Sequence, residues 1–219
     1  TLHPIVVYSK LPNQELTHST FCAISAELEH SAVIVFSIIT ELISNIKQGG
    51  FHMKRLHFLT DRPTSQYRNE TMYTIISCFK HLFGLGCTWT YFETSHGKGP
   101  CDGVSAVMKH EVDNAVKHGN ATIQDFKDFA ALANVYKDSS KINIFNARIA
   151  VSNLLNDVTA IPDTMKIHTL LSVGIPYHIM TPHLSCWCTE CVSGNLCNTV
   201  SLERNVRLGV LRRDMPTEN

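Results

Sequence analysis

The chain lacks an excess of charge of either sign: 19 basic residues are matched by 19 acidic ones. Nucleic-acid-binding domains usually carry an overall basic excess, so net charge does not point to one, and only a local basic patch stays open. A long apolar run is missing too. The longest, Ala32 to Ile39, is broken by Ser37 and falls far short of the roughly 20 residues a membrane span needs. No signal-peptide pattern opens the sequence, and it contains no internal repeat or low-complexity tract. It starts at Thr1, close to a strand-like run, which reads as a fragment or a processed chain. Disorder is not expected, because 44% hydrophobic content supports a core and 219 residues suffice for one large domain or a domain plus an extension.

The eight cysteines are unevenly placed. Cys22, Cys78, Cys87 and Cys101 are scattered through apolar contexts and read as buried thiols. The other four crowd between Cys186 and Cys197. That distribution, without a secretion signal, argues against a disulfide scaffold and for a reducing compartment.

Ile5-Val6-Val7-Tyr8 and Thr17 to Ser25, separated by the turn signal Pro12-Asn13, suggest a hairpin. Ser31 opens a helix to about Gln48. Its Val and Ile favour strands individually, but its length without a breaker decides for a helix, nearly enclosed, ended by Gly49-Gly50. The segment Lys54 to Lys109 organises the rest. It reads strand 54–60 ending on Asp61, helix Gln66 to Phe83, strand 87–94, a glycine-rich loop, then helix Val104 to Lys117. Thr122 caps a further helix to about Tyr136. Asn156-Asp157 and Pro162-Asp163 are turns, and short strands within Met165–Val173 and Ile175–Met180 flank Gly174. This is an α/β pattern in which Asp61 and Asp102 follow the carboxyl ends of two strands, the edge where ligands collect in open α/β sheets.

Leu59-Thr60-Asp61 with Gln66-Tyr67-Arg68-Asn69, then Thr94-Ser95-His96-Gly97-Lys98-Gly99 and Cys101-Asp102-Gly103, resembles a group of transposon-derived proteins similar to DDE transposases and integrases. The second motif is the more specific, and the resemblance extends over roughly residues 1 to 200. It implies a ribonuclease H-like mixed sheet flanked by helices, with the first strand missing, over residues 1–160, and a small cysteine-rich extension with a basic tail over 161–219. It implies DNA as partner, a nuclear location, no membrane, and metal-dependent phosphodiester cleavage and strand transfer in an intact parent. Homo-oligomerisation stays open.

Two-metal phosphodiester chemistry needs carboxylates, because Mg²⁺ prefers oxygen ligands and two ions clamp the attacking and leaving oxygens. The resemblance makes Asp61 and Asp102 the catalytic and Mg²⁺-binding acids, with Glu93 and Glu111 as substitutes for the latter. Lys98, Arg62 and Arg68 become nucleic-acid contacts. The first catalytic aspartate of the superfamily belongs to the missing strand, Arg62 stands where glycine is usual, and Ala26 stands where an acid is common after Ser25. The chain as given is therefore expected not to cut DNA. The alternative is a domesticated or decayed module that binds DNA or protein without catalysis. The acids also have plainer roles: Asp102 before Gly103 suits a helix N-cap, and Asp61 before Pro63 suits a turn.

Four cysteines, Cys186, Cys188, Cys191 and Cys197, lie close enough for one tetrahedral Zn²⁺ site, with Cys188-x-x-Cys191 a familiar ligand pair and His183 an alternative ligand. The other reading is a reduced, metal-free tail. Arg204, Arg207, Arg212 and Arg213 make the tail basic.

Overall fold

The computed structural model describes the chain apart from residues 11–12, 14, 28–29, 93–98, 137–140, 148–160, 162, 200–201 and 208–219, with backbone only for 202–207. In chain order the first elements are β1 (Leu2–Lys10), β2 (Leu16–Ile24), α1 (Ala32–Gln48), β3 (Arg55–Thr60), α2 (Glu70–Ser77), α3 (Phe79–Phe83), β4 (Gly86–Tyr91) and α4 (Pro100–Lys117). Then come α5 (Phe126–Val135), β5 (Ile142–Asn146), a 3-10 turn at Thr164–Lys166, β6 (Thr169–Ser172), β7 (His178–Pro182), α6 (Thr189–Ser193) and β8 (Leu202–Arg207). The result is a mixed α/β protein with two mixed sheets and flanking helices. No helix among the described residues is long and apolar enough to cross a membrane.

The contacts divide the chain into two units. The first comprises Thr1–His30, Ser37–Ser44 and Lys98–Ile149; the second comprises Ser31–Phe36, Asn45–Gly97 and Ala150–Asn219. α1 forms as its length implied. Its Ser31 carbonyl accepts the first helical bond from Val35, and Gly50, at φ 81°, takes the left-handed turn that ends it. Ile34, Val35, Ile38, Ile39, Leu42 and Ile43 are all buried, so more than one face of the helix is enclosed.

In the first unit, β1 and β2 pair antiparallel along their whole length, from Leu2 opposite Ile24 to Lys10 opposite Leu16. β5 adds in parallel on the far side of β2, with Thr20 opposite Ile142. Cys22 and Ile24 point from β2 to the core, where they meet Val104 and Met108 of α4, Ala130 and Ala133 of α5, and Ile142. Of the apolar stripe Val104, Val107, Met108, Val112 and Val116 that periodicity gives for α4, the four-residue row Val104, Met108 and Val112 is buried, while Val107 and Val116 are exposed. The helix starts earlier than that stripe, at Pro100, because proline suits the first helical position and needs no donor there. α5 likewise starts later than Thr122: the Asp125 carboxylate accepts from the N–H groups of Lys127 and Asp128 and caps the helix.

His3 on β1 lies beside the Thr1 hydroxyl, 3.1 Å from Nε2, and its ring centroid is 5.9 Å from that of His30. Burial first, and the neighbouring His30 second, lower its pKa from 6.5 to about 4. The unfolded chain therefore binds more protons than the folded one between those values, so stability falls as pH drops from 6.5 towards 4. His3→Gln should flatten this decline. Urea midpoints at pH 7, 5 and 4 read it, and an unchanged decline in the variant would place the acid sensitivity elsewhere.

In the second unit, β3 and β4 run parallel, with Phe58 opposite Trp89, and α2 and α3 form the crossover. The neighbouring of these two strands agrees with the sequence reading. The continuous helix expected from Gln66 does not form. Residues 64–67 turn on the Pro63 carbonyl, and Asn69 starts α2 by accepting from Met72 N–H at 2.9 Å while donating to the carbonyls of Thr64 and Ser65. β6, β7 and β8 continue the sheet antiparallel from β4, giving the order β3-β4-β6-β7-β8. The segment read as an extension from residue 161 thus contributes strands to the sheet of β3 and β4. Phe58 stacks on Trp89 at 4.4 Å and meets Phe79, which packs on Phe83, so one sheet face is filled with aromatics.

Candidate metal centre

Beyond Pro182 the chain leaves β7 and makes a compact knuckle. Cys188, in extended conformation, caps the short α6, and its carbonyl accepts from Val192. α6 ends on Gly194, whose φ of 97° lies in the left-handed region that glycine takes without strain. Gly194 N–H and Asn195 N–H return to the carbonyls of Cys191 and Glu190, which turns the chain back towards Cys197. The sulfurs of Cys186, Cys188, Cys191 and Cys197 consequently all lie within 4.8 Å of one another. His183 is exposed and does not belong to this set.

All four are free thiols. The Cys186 and Cys197 sulfurs stand 3.7 Å apart, too far for a disulfide, whose sulfurs are about 2.05 Å apart. A tetrahedral ion with metal–sulfur bonds of about 2.3 Å puts its sulfurs about 3.8 Å apart, so the thiols present fit such an ion. Thr199 hydroxyl, 2.9 Å from the Cys197 sulfur, lowers that thiol's pKa to about 6, while burial pushes Cys191 up to about 12.

The knuckle is seated on the second unit's sheet, on the face opposite the aromatics. Ser185 and Thr169 hydroxyls lie 2.7 Å apart, and Thr169 lies 3.3 Å from Thr90. The His57 ring packs on Trp187 at 5.7 Å. Burial, then the charge of Arg55, lowers the His57 pKa, opposed by its hydrogen bond to the Val192 backbone. A small cavity between sheet and knuckle is lined by His57, Thr88, Thr90, Thr169, Ser185 and Cys191, among others. The four cysteines were legible as a ligand set, but Arg55, His57, Thr169 and Trp187 were not, since no local pattern ties them to the cluster.

The other anticipated residues do not belong to this cluster. Asp61 lies exposed, one residue beyond β3. Asp102 sits exposed in the first turn of α4 as its third residue, and its carboxylate accepts from Gly99 N–H at 3.2 Å. It caps from inside the helix rather than from the N-cap position, which Gly99 occupies. The two acids belong to different units. Arg62 is half-buried, its Nη2 3.4 Å from His168 Nδ1. Arg68 needs a correction. It is 1% exposed, donates to the Ile167 carbonyl and lies over the Tyr91 ring at 5.1 Å, so it is not presented to a nucleic acid. Glu93, His96 and Lys98 lie outside the described residues, as do Asn156-Asp157, Arg212 and Arg213.

The fold and site define a mixed α/β protein with a four-cysteine cluster able to hold a metal such as zinc. Residues 1–181 match the family described as Domain of unknown function (DUF8701), and the chain belongs to that family. The four cysteines follow the matched stretch. No curated protein and no solved structure matches the chain.

Proposed function

We propose that this protein is a zinc-stabilised module derived from a ribonuclease H-like DNA transposition or integration protein, and that it binds DNA in the nucleus without cutting it. The observation that carries the reading is the parallel β3–helix–β4 crossover with Asp61 at the carboxyl end of β3. β3 also lies at an edge of its sheet, which leaves the backbone edge where a ribonuclease H-like sheet would place the strand carrying its first acid. Zinc is the metal the cluster suits, because four thiolates at tetrahedral spacing are a closed structural set with no open position for catalysis.

The cutting chemistry needs several carboxylate oxygens to hold two Mg²⁺ ions. Asp61 offers one carboxylate at its strand end, and one of the Asp102 oxygens serves the start of α4. Supercoiled plasmid in Mg²⁺ or Mn²⁺ should stay intact with wild type and with Asp61→Asn. Nicking by wild type that Asp61→Asn abolishes would show that further ligands complete a site. Gel retardation should give DNA binding that weakens steeply with salt. Absence of such binding at low salt would remove the DNA reading and leave a zinc-stabilised structural protein.

A further inference from the structure

We propose that Arg55 is the counter-charge of the metal centre and seats its closing turn. The proposal rests on the zinc reading above. Four thiolates around Zn²⁺ leave the centre doubly negative, and the charge of a bound ion and its ligands dominates its surroundings. The knuckle brings no Lys or Arg between His183 and Thr199, and Glu190 adds a negative charge. The cation comes from the sheet. Arg55 at the start of β3 directs its guanidinium at Gly194, so closely that a side chain at Gly194 would overlap it. Gly194 lies midway between the ligands Cys191 and Cys197, and its N–H is bonded to the Cys191 carbonyl.

The surroundings of Arg55 on the sheet do not balance its charge. Its Nη1 donates to the Cys87 carbonyl at 3.0 Å and the Thr88 hydroxyl at 3.2 Å, both neutral. Among the described residues no carboxylate forms an ion pair with it. Burial penalises its charge. A half-buried cation of this kind is costly without an opposite charge, and a tetrathiolate centre lacks its own cation. Each supplies what the other misses. The φ of 97° favours glycine at position 194, and the guanidinium lies where a side chain there would begin. Arg55 is thus a positioning residue, acting on the metal through the loop and through charge.

Full-length wild type, Arg55→Lys, Arg55→Gln and Arg55→Met would be titrated with Zn²⁺ against a chromophoric chelator, and the pH of half-release recorded. Arg55→Gln and Arg55→Met should lose zinc affinity by about 10–100-fold, the usual effect of removing an outer partner of a metal site. They should also release zinc at a higher pH, because thiolates without a neighbouring cation hold protons more tightly. Arg55→Lys should keep most of the affinity and the wild-type release pH. Equal affinity in all four proteins, each with one zinc, overturns the counter-charge and leaves the zinc reading standing. A loss in Arg55→Lys as large as in Arg55→Met also overturns it, since packing and not charge would then be at work. A wild-type chain that takes up no zinc overturns both. Should Arg55→Met fail to fold, Arg55→Gln retains a donor for the Cys87 carbonyl and decides the question.

Discussion

Cys188→Ala should strip the protein of its zinc, about one ion per chain, and release residues 183–199 from the sheet. The choice of cysteine makes the result readable. Cys188 is exposed, so its sulfur contributes little to packing. A surface substitution with no further role costs within about 0.5 kcal/mol. A ligand to structural zinc is another matter, because binding of the ion is worth about 10–16 kcal/mol in zinc-finger peptides and much of that is folding free energy. A few backbone and hydroxyl bonds and a five-residue helix cannot hold the knuckle against that loss. Elemental analysis of purified protein gives the stoichiometry, and hydrogen exchange over 183–199 gives the release. Acidification should mimic the substitution, since protons compete with the metal for thiolates. Metal-free wild type whose knuckle is as protected as expected for the holo form would defeat the zinc reading.

The order of elements was legible where periodicity or length was strong. α1 declared itself by seventeen residues without a breaker, and β3 and β4 by short apolar runs around a helix. The starts of helices were not legible, because the deciding interactions are side chain to backbone. Asn69 and Asp125 each fix a start by accepting N–H groups, while apolar periodicity points to where the buried stripe begins. β5 escaped notice for a different reason. It is five residues long, and its reason to be extended is β2, which lies far away in sequence.

The metal cluster was readable because its ligands are local, spaced closely enough that any compact turn gathers them. Its seat was not. Arg55 and His57 belong to the first half of the edge strand β3, and only the pairing of β4 with β6 and the return from β7 carry the knuckle over them. Arg68 shows the opposite error. In sequence it stands in a polar stretch and looks like a surface cation. In the fold the Tyr91 ring and the Ile167 carbonyl enclose it, and neither lies near it in sequence.

Trp89→Ala should be the most destabilising single change in the second unit, at about 3–5 kcal/mol, the usual cost of truncating a buried large aromatic. Trp89 is 1% exposed in the middle of β4, a strand paired on both sides, with β3 and with β6. Its ring stacks on Phe58 at 4.4 Å with 20° between planes and meets Tyr67 at 6.1 Å. Its Nε1–H donates to the Thr60 hydroxyl at 2.9 Å, which ties the end of β3, and so the approach to Asp61, to β4. Alanine removes the stack, the filling and the hydrogen bond together, and the surrounding structure relaxes only partly into such a gap. Against a typical total stability of about 5–15 kcal/mol, the loss is a large fraction of what holds the unit together. Trp89→Phe separates the contributions. It keeps an aromatic ring over Phe58 but leaves the Thr60 hydroxyl without its donor, so it should cost less than alanine while still exceeding a surface change. Urea denaturation of zinc-loaded protein reads both, and unchanged slopes would assign the shift to stability. An alanine variant within about 0.5 kcal/mol of wild type would behave as a surface substitution does. β4 would then not be an interior strand of a packed sheet, and the β3–β4 crossover that positions Asp61 would lose its structural basis.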